Sequence, residues 1–205
     1  MSFIKSAALV IATLVLTSAP AFAGKARQTK APVKAPAYEA PTAKFEYSPK
    51  PISGSFSIQS GRLGTLCVEA DIANFGKTAE AAYVKMKPCK DVPGQRFAFG
   101  DNNMIILSSL VNGEYMALDV DFTNYGINPL SDGIKLLKAF NRPEQQVVLK
   151  PVSGGYQFIM GVGKTTFSVD ADVTKIGVIP NSDRLKIQSG TSTVNPERTW
   201  KLIPR

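Results

Sequence analysis

Three pairs of acidic residues recur along the chain, and their first members are 50 and 51 residues apart. The pairs are Glu69/Asp71, Asp119/Asp121 and Asp170/Asp172. Paired carboxylates can supply the acid and base of a glycosidase, ligate Ca²⁺, or accept hydrogen bonds from the hydroxyl groups of a sugar. A catalytic pair would occur once, and Ca²⁺ needs six or more oxygens that no dense acidic loop supplies. Sugar binding and a repeated turn feature remain as the two interpretations.

The chain contains no histidine. This absence removes the commonest general base and the commonest transition-metal ligand. It also excludes Ser–His and Cys–His nucleophiles. The sequence therefore predicts a protein that is not an enzyme, with no catalytic residue, no cofactor and no bound metal.

The first 23 residues have the pattern of a cleaved signal peptide of bacterial style. Lys5 gives a positive start, residues 6–16 are apolar and uncharged, and Ala21-Phe22-Ala23 forms an A-x-A motif before Gly24. The apolar run is too short for a permanent transmembrane helix, and no later stretch is long and apolar enough for one. We expect a secreted or periplasmic protein with no integral membrane segment after cleavage.

Residues 24–51 predict an extended linker, because they contain five prolines among alanines and lysines. Cleavage leaves a net charge of +7, of which residues 24–50 carry +4 and the remaining body +3. The linker is either a solvated spacer or an arm that docks on an anionic surface or on other subunits of a secreted complex. No nucleic-acid partner is expected.

Two cysteines, Cys67 and Cys89, enter an oxidising compartment after export, where a disulfide is the natural state. The bond would close a loop of 23 residues. Such a loop contributes about 3 kcal/mol in the chain-entropy model. Two free thiols are the alternative.

From residue 52 onward, short apolar segments alternate with Gly, Asn, Asp and Pro, which is typical of an all-β sandwich or barrel. Three landmarks occur in the same order three times: a strand with the first acid, an apolar-Lys-apolar triplet, and a strand led by proline. The landmarks lie at 67–71, 117–121 and 168–172; at 84–86, 134–136 and 185–187; and at 93–99, 143–149 and 196–202. Ordered triplication indicates a threefold repeat architecture.

The third repeat runs out at Arg205 before its closing strand, whereas an equivalent strand, Ser55–Gln59, precedes the first repeat. In a closed threefold structure the N-terminal strand fills the vacant place, and closure removes exposed sheet edges. The sequence therefore predicts a β-trefoil whose repeats span about 52–101, 102–153 and 154–205.

These landmarks resemble the ricin-B-like, or R-type lectin, family over residues 52–205. The family repeats a Cys-Leu-Asp-Val-like strand, an apolar strand ending in Pro-Cys, and Gln-x-Trp. The first repeat has residues 66–70, Met86-Lys87-Pro88-Cys89 and Gln95-Arg96-Phe97, and the third keeps Trp200. The resemblance implies a Cys67–Cys89 disulfide, backbone hydrogen bonds from Gln95 and Gln145, and burial of Phe97, Val147 and Trp200.

In the resembled family, sugar hydroxyls are held by the first acid, together with an aromatic platform and an asparagine. This sequence keeps the acids Glu69, Asp119 and Asp170. It has Lys87, Leu137 and Gln188 at the platform positions, and Gly94, Glu144 and Glu197 at the asparagine positions. The second repeat is the favoured site, because aromatic residues near Asp119 could replace the platform. The aromatic residues are Phe122, Tyr125 and Phe140, and the candidate ligand-binding residues are Asp119, Asp121, Tyr125, Phe140, Glu69 and Asp170.

A linker followed by a trefoil is also the architecture of cytolethal distending toxin binding subunits, which this layout resembles. We therefore expect a secreted, non-catalytic protein that recognises a cell-surface glycan or glycoprotein, as a targeting subunit of a toxin-like assembly. One alternative is a Kunitz-type trefoil protease inhibitor that uses Lys77 in the loop 71–82. Another is a structural envelope protein whose linker docks on an anionic polymer.

Overall fold

The structure, a computed structural model, describes residues 52–122, 125–126, 132–162, 165–190 and 195–205. The predicted signal peptide and linker, residues 1–51, lie outside these ranges. Within them, no helix is long and apolar enough to cross a membrane.

The described part of the chain folds into twelve antiparallel strands joined by turns and short 3₁₀ segments, with no α-helix. The strands are β1 (Ser55–Ser60), β2 (Leu66–Glu69), β3 (Lys85–Pro88), β4 (Phe97–Phe99), β5 (Ile105–Leu107), β6 (Met116–Asp119), β7 (Lys135–Lys138), β8 (Val148–Val152), β9 (Gly155–Val162), β10 (Thr165–Asp170), β11 (Lys186–Ser189) and β12 (Trp200–Pro204). Four strands fall in each predicted repeat. The three repeats are therefore structural units as well as sequence units.

Six strands, β1, β4, β5, β8, β9 and β12, form a closed barrel, and the other six form three hairpins. The N-terminal strand pairs with the last strand in a register that runs from Phe56↔Pro204 to Ser60↔Trp200. The barrel closes elsewhere through a Met104↔Gln146 bridge. The N-terminal strand thus closes the barrel against the last strand, as the sequence predicts, and the β-trefoil is confirmed.

The three hairpins meet in a cyclic set of backbone hydrogen bonds. The amide of Val84 donates to Ile134 O (3.0 Å), that of Ile134 to Leu185 O (2.8 Å), and that of Leu185 to Val84 O (3.0 Å). All three residues are fully buried, so each amide needs this partner. They open the apolar-Lys-apolar triplets of the three repeats, and they mark the pseudo-threefold axis.

The predicted aromatic position of each repeat faces the core. Phe97, Val147 and Trp200 are all buried in one apolar cluster. The indole nitrogen of Trp200 donates to Val169 O at 3.2 Å, which satisfies its only polar atom. The burial predicted for this position is confirmed in all three repeats.

Cys67 and Cys89 form a disulfide in the first repeat, with their Cα atoms 4.8 Å apart. Cys67 lies on β2, and Cys89 directly follows the neighbouring strand β3. In the ladder of these two strands, Cys67 is opposite Lys87. No free cysteine remains. The predicted pairing is therefore confirmed.

We predict that replacing both Cys67 and Cys89 with alanine lowers the free energy of unfolding by about 3 kcal/mol, because the unfolded chain regains the entropy of its 23-residue loop. Urea unfolding of the mature protein measures this change. The intact protein should have a mass about 2 Da below that of the dithiol form. Complete alkylation of the unreduced protein would contradict the bond.

We predict that Trp200→Ala destabilises the fold by about 3–5 kcal/mol, as is typical for a buried aromatic residue. The adjacent exposed Lys201 provides the control, since Lys201→Ala should change stability by less than about 0.5 kcal/mol. Urea midpoints of the two variants measure the contrast. Equal midpoints would show that Trp200 does not hold the core.

Candidate functional site

The first acid of each pair ends the second strand of its repeat, opposite the lysine of the apolar-Lys-apolar triplet. Glu69 pairs with Lys85 on β3. The other two registers are Asp119↔Lys135 and Asp170↔Lys186. Directly opposed residues of an antiparallel pair share one face of the hairpin. The fold therefore places the three acids in equivalent positions.

The second acid of two pairs is a turn feature. The Asp71 carboxylate caps the 3₁₀ turn Ile72–Asn74 by accepting from Asn74 N at 3.2 Å. Asp172 precedes the equivalent turn and accepts a hydrogen bond from Lys175 at 2.9 Å. This bond lowers the pKa of the Asp172 carboxyl group. Asp121, the third such acid, lies half-buried just after β6. The pairs therefore combine a strand end with a turn start.

Each first acid binds a partner within its own repeat. Glu69 Oε2 accepts from the Gln95 amide at 2.6 Å. Asp119 Oδ2 accepts from the Arg142 guanidinium at 3.0 Å. Asp170 Oδ2 accepts from Arg198 Nε at 2.9 Å. These partners were missed in the sequence because they occupy different repeat positions.

The glutamines of the first two repeats join strand ends through backbone hydrogen bonds, as predicted. The Gln95 side chain donates to Pro88 O (2.9 Å) and accepts from Lys90 N (2.7 Å). The Gln145 side chain donates to Lys138 O (2.8 Å) and accepts from Phe140 N (2.9 Å). Both glutamines are fully buried, so these bonds are structural.

The third repeat locks its acid in place. Arg198 also donates to Gly190 O at 2.9 Å and to the Gln188 side chain at 2.6 Å. Its side chain is only 15% exposed. A polar cavity of about 260 Å³ lies beside this network, lined by Asp170, Asp172, Lys186, Gln188, Asn195 and Glu197 among others. Asp170 contributes to the wall of the cavity, but its carboxylate is already paired.

The second repeat presents an aromatic ring to solvent. Phe140 is 60% exposed. The Lys138 ammonium and the Arg142 guanidinium each lie 5.6 Å from the centre of its ring, within the range of cation–π attraction. Arg142 keeps 44% of its side-chain surface, whereas the carboxylate of Asp119 behind it keeps 8%. The accessible group is therefore the ring with its two cations.

Burial governs the protonation of Asp119. Desolvation raises its pKa above the ordinary value for an aspartate, and the nearby Glu144 adds to the shift. The Arg142 charge and the hydrogen bond from Gln145 act in the opposite direction without reversing it. The ion pair is consequently the arrangement that makes the buried carboxylate tolerable.

Two more large side chains of the second repeat are exposed at least in part. Tyr115, which precedes β6, is exposed, and its carbonyl accepts from Ala139 N at 2.9 Å. Leu137, at the predicted platform position, is partly exposed on β7. Tyr115 is not among the residues predicted from the sequence. Its position directly before the strand that ends in Asp119 was the signal that could have indicated it.

The other two aromatic candidates are used for packing. Phe122 stacks on Phe167 of β10, with ring centres 5.4 Å apart. Tyr125 meets the same ring edge-on at 4.5 Å, and its hydroxyl accepts from Ser189 N in the third repeat. We therefore assign Phe122 and Tyr125 to packing between repeats, and keep Phe140 as the aromatic candidate for ligand contact.

The loop considered for protease inhibition is folded into turns. Residues Ile72–Asn74 and Ala79–Ala82 form 3₁₀ segments. The Lys77 ammonium donates to Ala73 O at 2.8 Å within the same loop. The loop therefore offers Lys77 in a tightly turned backbone, not in an extended strand that pairs with another chain.

Among the residues that the structure describes, no group of three or more Cys, Asp or Glu side chains is placed to hold a metal ion.

No protein-family model and no curated protein matches this sequence. Solved structures do match it. The hemolysin/cytolysin β-trefoil lectin of Vibrio vulnificus, solved with N-acetyl-D-lactosamine bound, has a TM-score of 0.50 and 10% identity, over 74% of this chain and 94% of that one. A mosquitocidal holotoxin has a TM-score of 0.52 and 14% identity, over 75% of this chain and 17% of that one.

A Clostridium perfringens endo-β-galactosidase that releases GlcNAcα1-4Gal has a TM-score of 0.51 and 14% identity, over 75% of this chain and 33% of that one. This chain therefore spans only a small part of the holotoxin and of the galactosidase. Identities this low show the fold alone. The described residues from Ile52 to Arg205 have the β-trefoil fold that the threefold repeat predicts, and they share it with a solved lectin.

Proposed function

We propose that this chain is an exported, non-catalytic carbohydrate-binding protein whose ligand contacts the second repeat. The observation that carries the proposal is the exposed Phe140 ring, flanked by Lys138 and by an Arg142 that the buried Asp119 holds in place. An aromatic face can stack on the C–H surface of a sugar while nearby donors bind its hydroxyl groups. Both parts of such a site are present here.

Asp119 has an indirect role in this proposal. Its carboxylate faces Arg142 and is nearly covered, so the ligand meets the guanidinium first. An arginine has five N–H donors in a fixed plane, and one of them is spent on Asp119. The buried acid therefore orients a charged donor toward the sugar.

The absence of histidine and the pairing of the first acids support a binding role over catalysis. Glu69, Asp119 and Asp170 each have a partner within hydrogen-bond distance in their own repeat. A glycosidase needs two carboxyl groups that face each other across a substrate. The second acids Asp71 and Asp172 instead serve the turns that follow.

The comparisons support the ligand class. The Vibrio vulnificus trefoil is a lectin with a bound disaccharide, and the mosquitocidal protein contains a similar trefoil within a much longer toxin. We extend the proposal to a glycan or glycoprotein at a cell surface, with the linker 24–51 joining the trefoil to other subunits of a secreted assembly.

We predict that Phe140→Ala lowers glycan affinity about tenfold, because aromatic contacts contribute about 0.5–1.5 kcal/mol beyond the area they bury. A glycan array with the mature protein identifies the ligand, and titration of the variant measures the loss. Val178→Ala is the matched control, since Val178 is an apolar residue of the third repeat that is 79% exposed. Equal affinity of both variants would contradict the site.

We predict that Asp119→Asn also weakens glycan binding about tenfold, because a freed Arg142 no longer holds its donors beside the ring. Asp170→Asn, in the locked third repeat, should leave affinity unchanged. The raised pKa means that the folded protein disfavours the ionised Asp119, so removing its charge should cost little stability near neutral pH. Equal losses in the two variants would contradict the assignment to the second repeat.

A further inference from the structure

We infer that the second-repeat site selects an acidic sugar, one that carries a carboxylate or sulfate group, over its neutral counterpart. This inference rests on the proposed glycan-binding function and adds the chemical class of the ligand. It follows from the charges that the fold places around Phe140.

The two charged groups in contact with the Phe140 ring are both cations. Lys138 Nζ and Arg142 Cζ lie at the same distance, 5.6 Å, from the ring centre. Lysine and arginine side chains only donate hydrogen bonds, and an anionic acceptor adds a Coulomb attraction to their positive charge that a neutral acceptor lacks. A sugar stacked on this ring therefore gains most from a negatively charged substituent at its rim.

Two of the three acids nearby, Asp119 and Glu114, are already paired with the cations of this site. The carboxylate of Asp119 is buried behind Arg142. The third acid, Glu144, lies close enough to Asp119 for its negative charge to raise the pKa of the Asp119 carboxyl group. Glu114 is paired with the Lys138 ammonium at 2.6 Å.

The Lys138–Glu114 pair is the part of the site that a ligand anion can replace. Both side chains are about half exposed, at 46% and 49%. Exposed ion pairs contribute little to stability, so a carboxylate or sulfate of the ligand can replace Glu114 beside Lys138 at little cost. The cations are already positioned at the ring, which leaves little ordering to be done when the ligand binds.

The third repeat has the same kind of acid–arginine pair without this property. Arg198 is largely buried and holds hydrogen bonds to Asp170, Gln188 and Gly190. Neither ring-bound cation of the second repeat is bound this way: Arg142 remains 44% exposed. The preference for an acidic ligand is therefore specific to the second repeat.

The test compares N-acetyllactosamine with its sialylated and sulfated forms on one carrier, using the mature protein. We expect at least about tenfold tighter binding of one or both acidic forms, since charge-assisted hydrogen bonds contribute about 1.5–3 kcal/mol each. Free inorganic sulfate should compete poorly, because it lacks a sugar face for Phe140. The sialylated and sulfated arms distinguish a carboxylate from a sulfate ligand, and preference for either supports the inference.

Matched variants separate this inference from general attraction to a basic chain. Lys138→Gln should reduce binding of the acidic probe about tenfold more than it reduces binding of the neutral probe, whereas Glu114→Gln should strengthen acidic binding. Lys201→Gln makes the same charge change at an exposed site on β12 and should have no effect. None of these residues holds a buried group, so folding is preserved in each variant.

The outcomes are distinguishable. Equal binding of neutral and acidic probes, still abolished by Phe140→Ala, would overturn the charge preference and leave the proposed function intact. Equal losses of acidic-probe binding from Lys138→Gln and Lys201→Gln would also overturn it. So would effective displacement of the acidic probe by free inorganic sulfate. No binding to any glycan would overturn the proposed function itself.

Discussion

The whole fold depends on three backbone hydrogen bonds that run in a cycle around the pseudo-threefold axis. Val84, Ile134 and Leu185 each donate one bond and accept one, and all are sealed from water. A buried amide without a partner costs about as much as a lost hydrogen bond. No repeat can therefore shift its register without leaving such groups unpaired in the other two.

This constraint fixes where the acids lie. The lysine that follows each axial residue pairs across its hairpin with Glu69, Asp119 or Asp170. The fold thus repeats three acidic positions, but it does not dictate what neutralises them. A carboxylate withdrawn from water needs a donor. A glutamine amide serves Glu69 in the first repeat and Asp119 in the second, where an exposed arginine is added, and an enclosed arginine serves Asp170 in the third.

The fold was predictable because the periodic landmarks carry the interactions that close it. The offsets of 50 and 51 residues place the axial triplets and the strand acids in register, and Trp200 keeps the same order of landmarks after a two-residue insertion. The pairing of the N-terminal strand with β12 was predictable, because the repeated landmarks leave one apolar strand before the first copy and none after the third. The Cys67–Cys89 bond was predictable from the oxidising compartment expected after export and from the family resemblance.

The candidate site was only partly predictable, because its contacts differ from one repeat to the next. Arg142 lies directly before a landmark proline, whereas Arg198 lies two residues after the equivalent one, so aligning the repeats does not reveal their common role. Tyr125 follows Asp119 closely in sequence but packs on Phe167 of the next repeat. Proximity along the chain therefore does not establish that two side chains of one repeat share a site.

Symmetry and binding consequently place opposite demands on these acids. A carboxylate satisfied by an enclosed guanidinium, as in Asp170 with Arg198, strengthens the joint between strands and has little left to offer a ligand. In the second repeat the guanidinium stays at the surface, and the same ion pair holds a donor beside an exposed ring. The difference lies in the exposure of one arginine, since both pairs have nearly equal lengths of 3.0 and 2.9 Å. At the proposed site, what covers the repeated acid therefore decides whether a donor is left for a ligand, while the acid itself belongs to the scaffold.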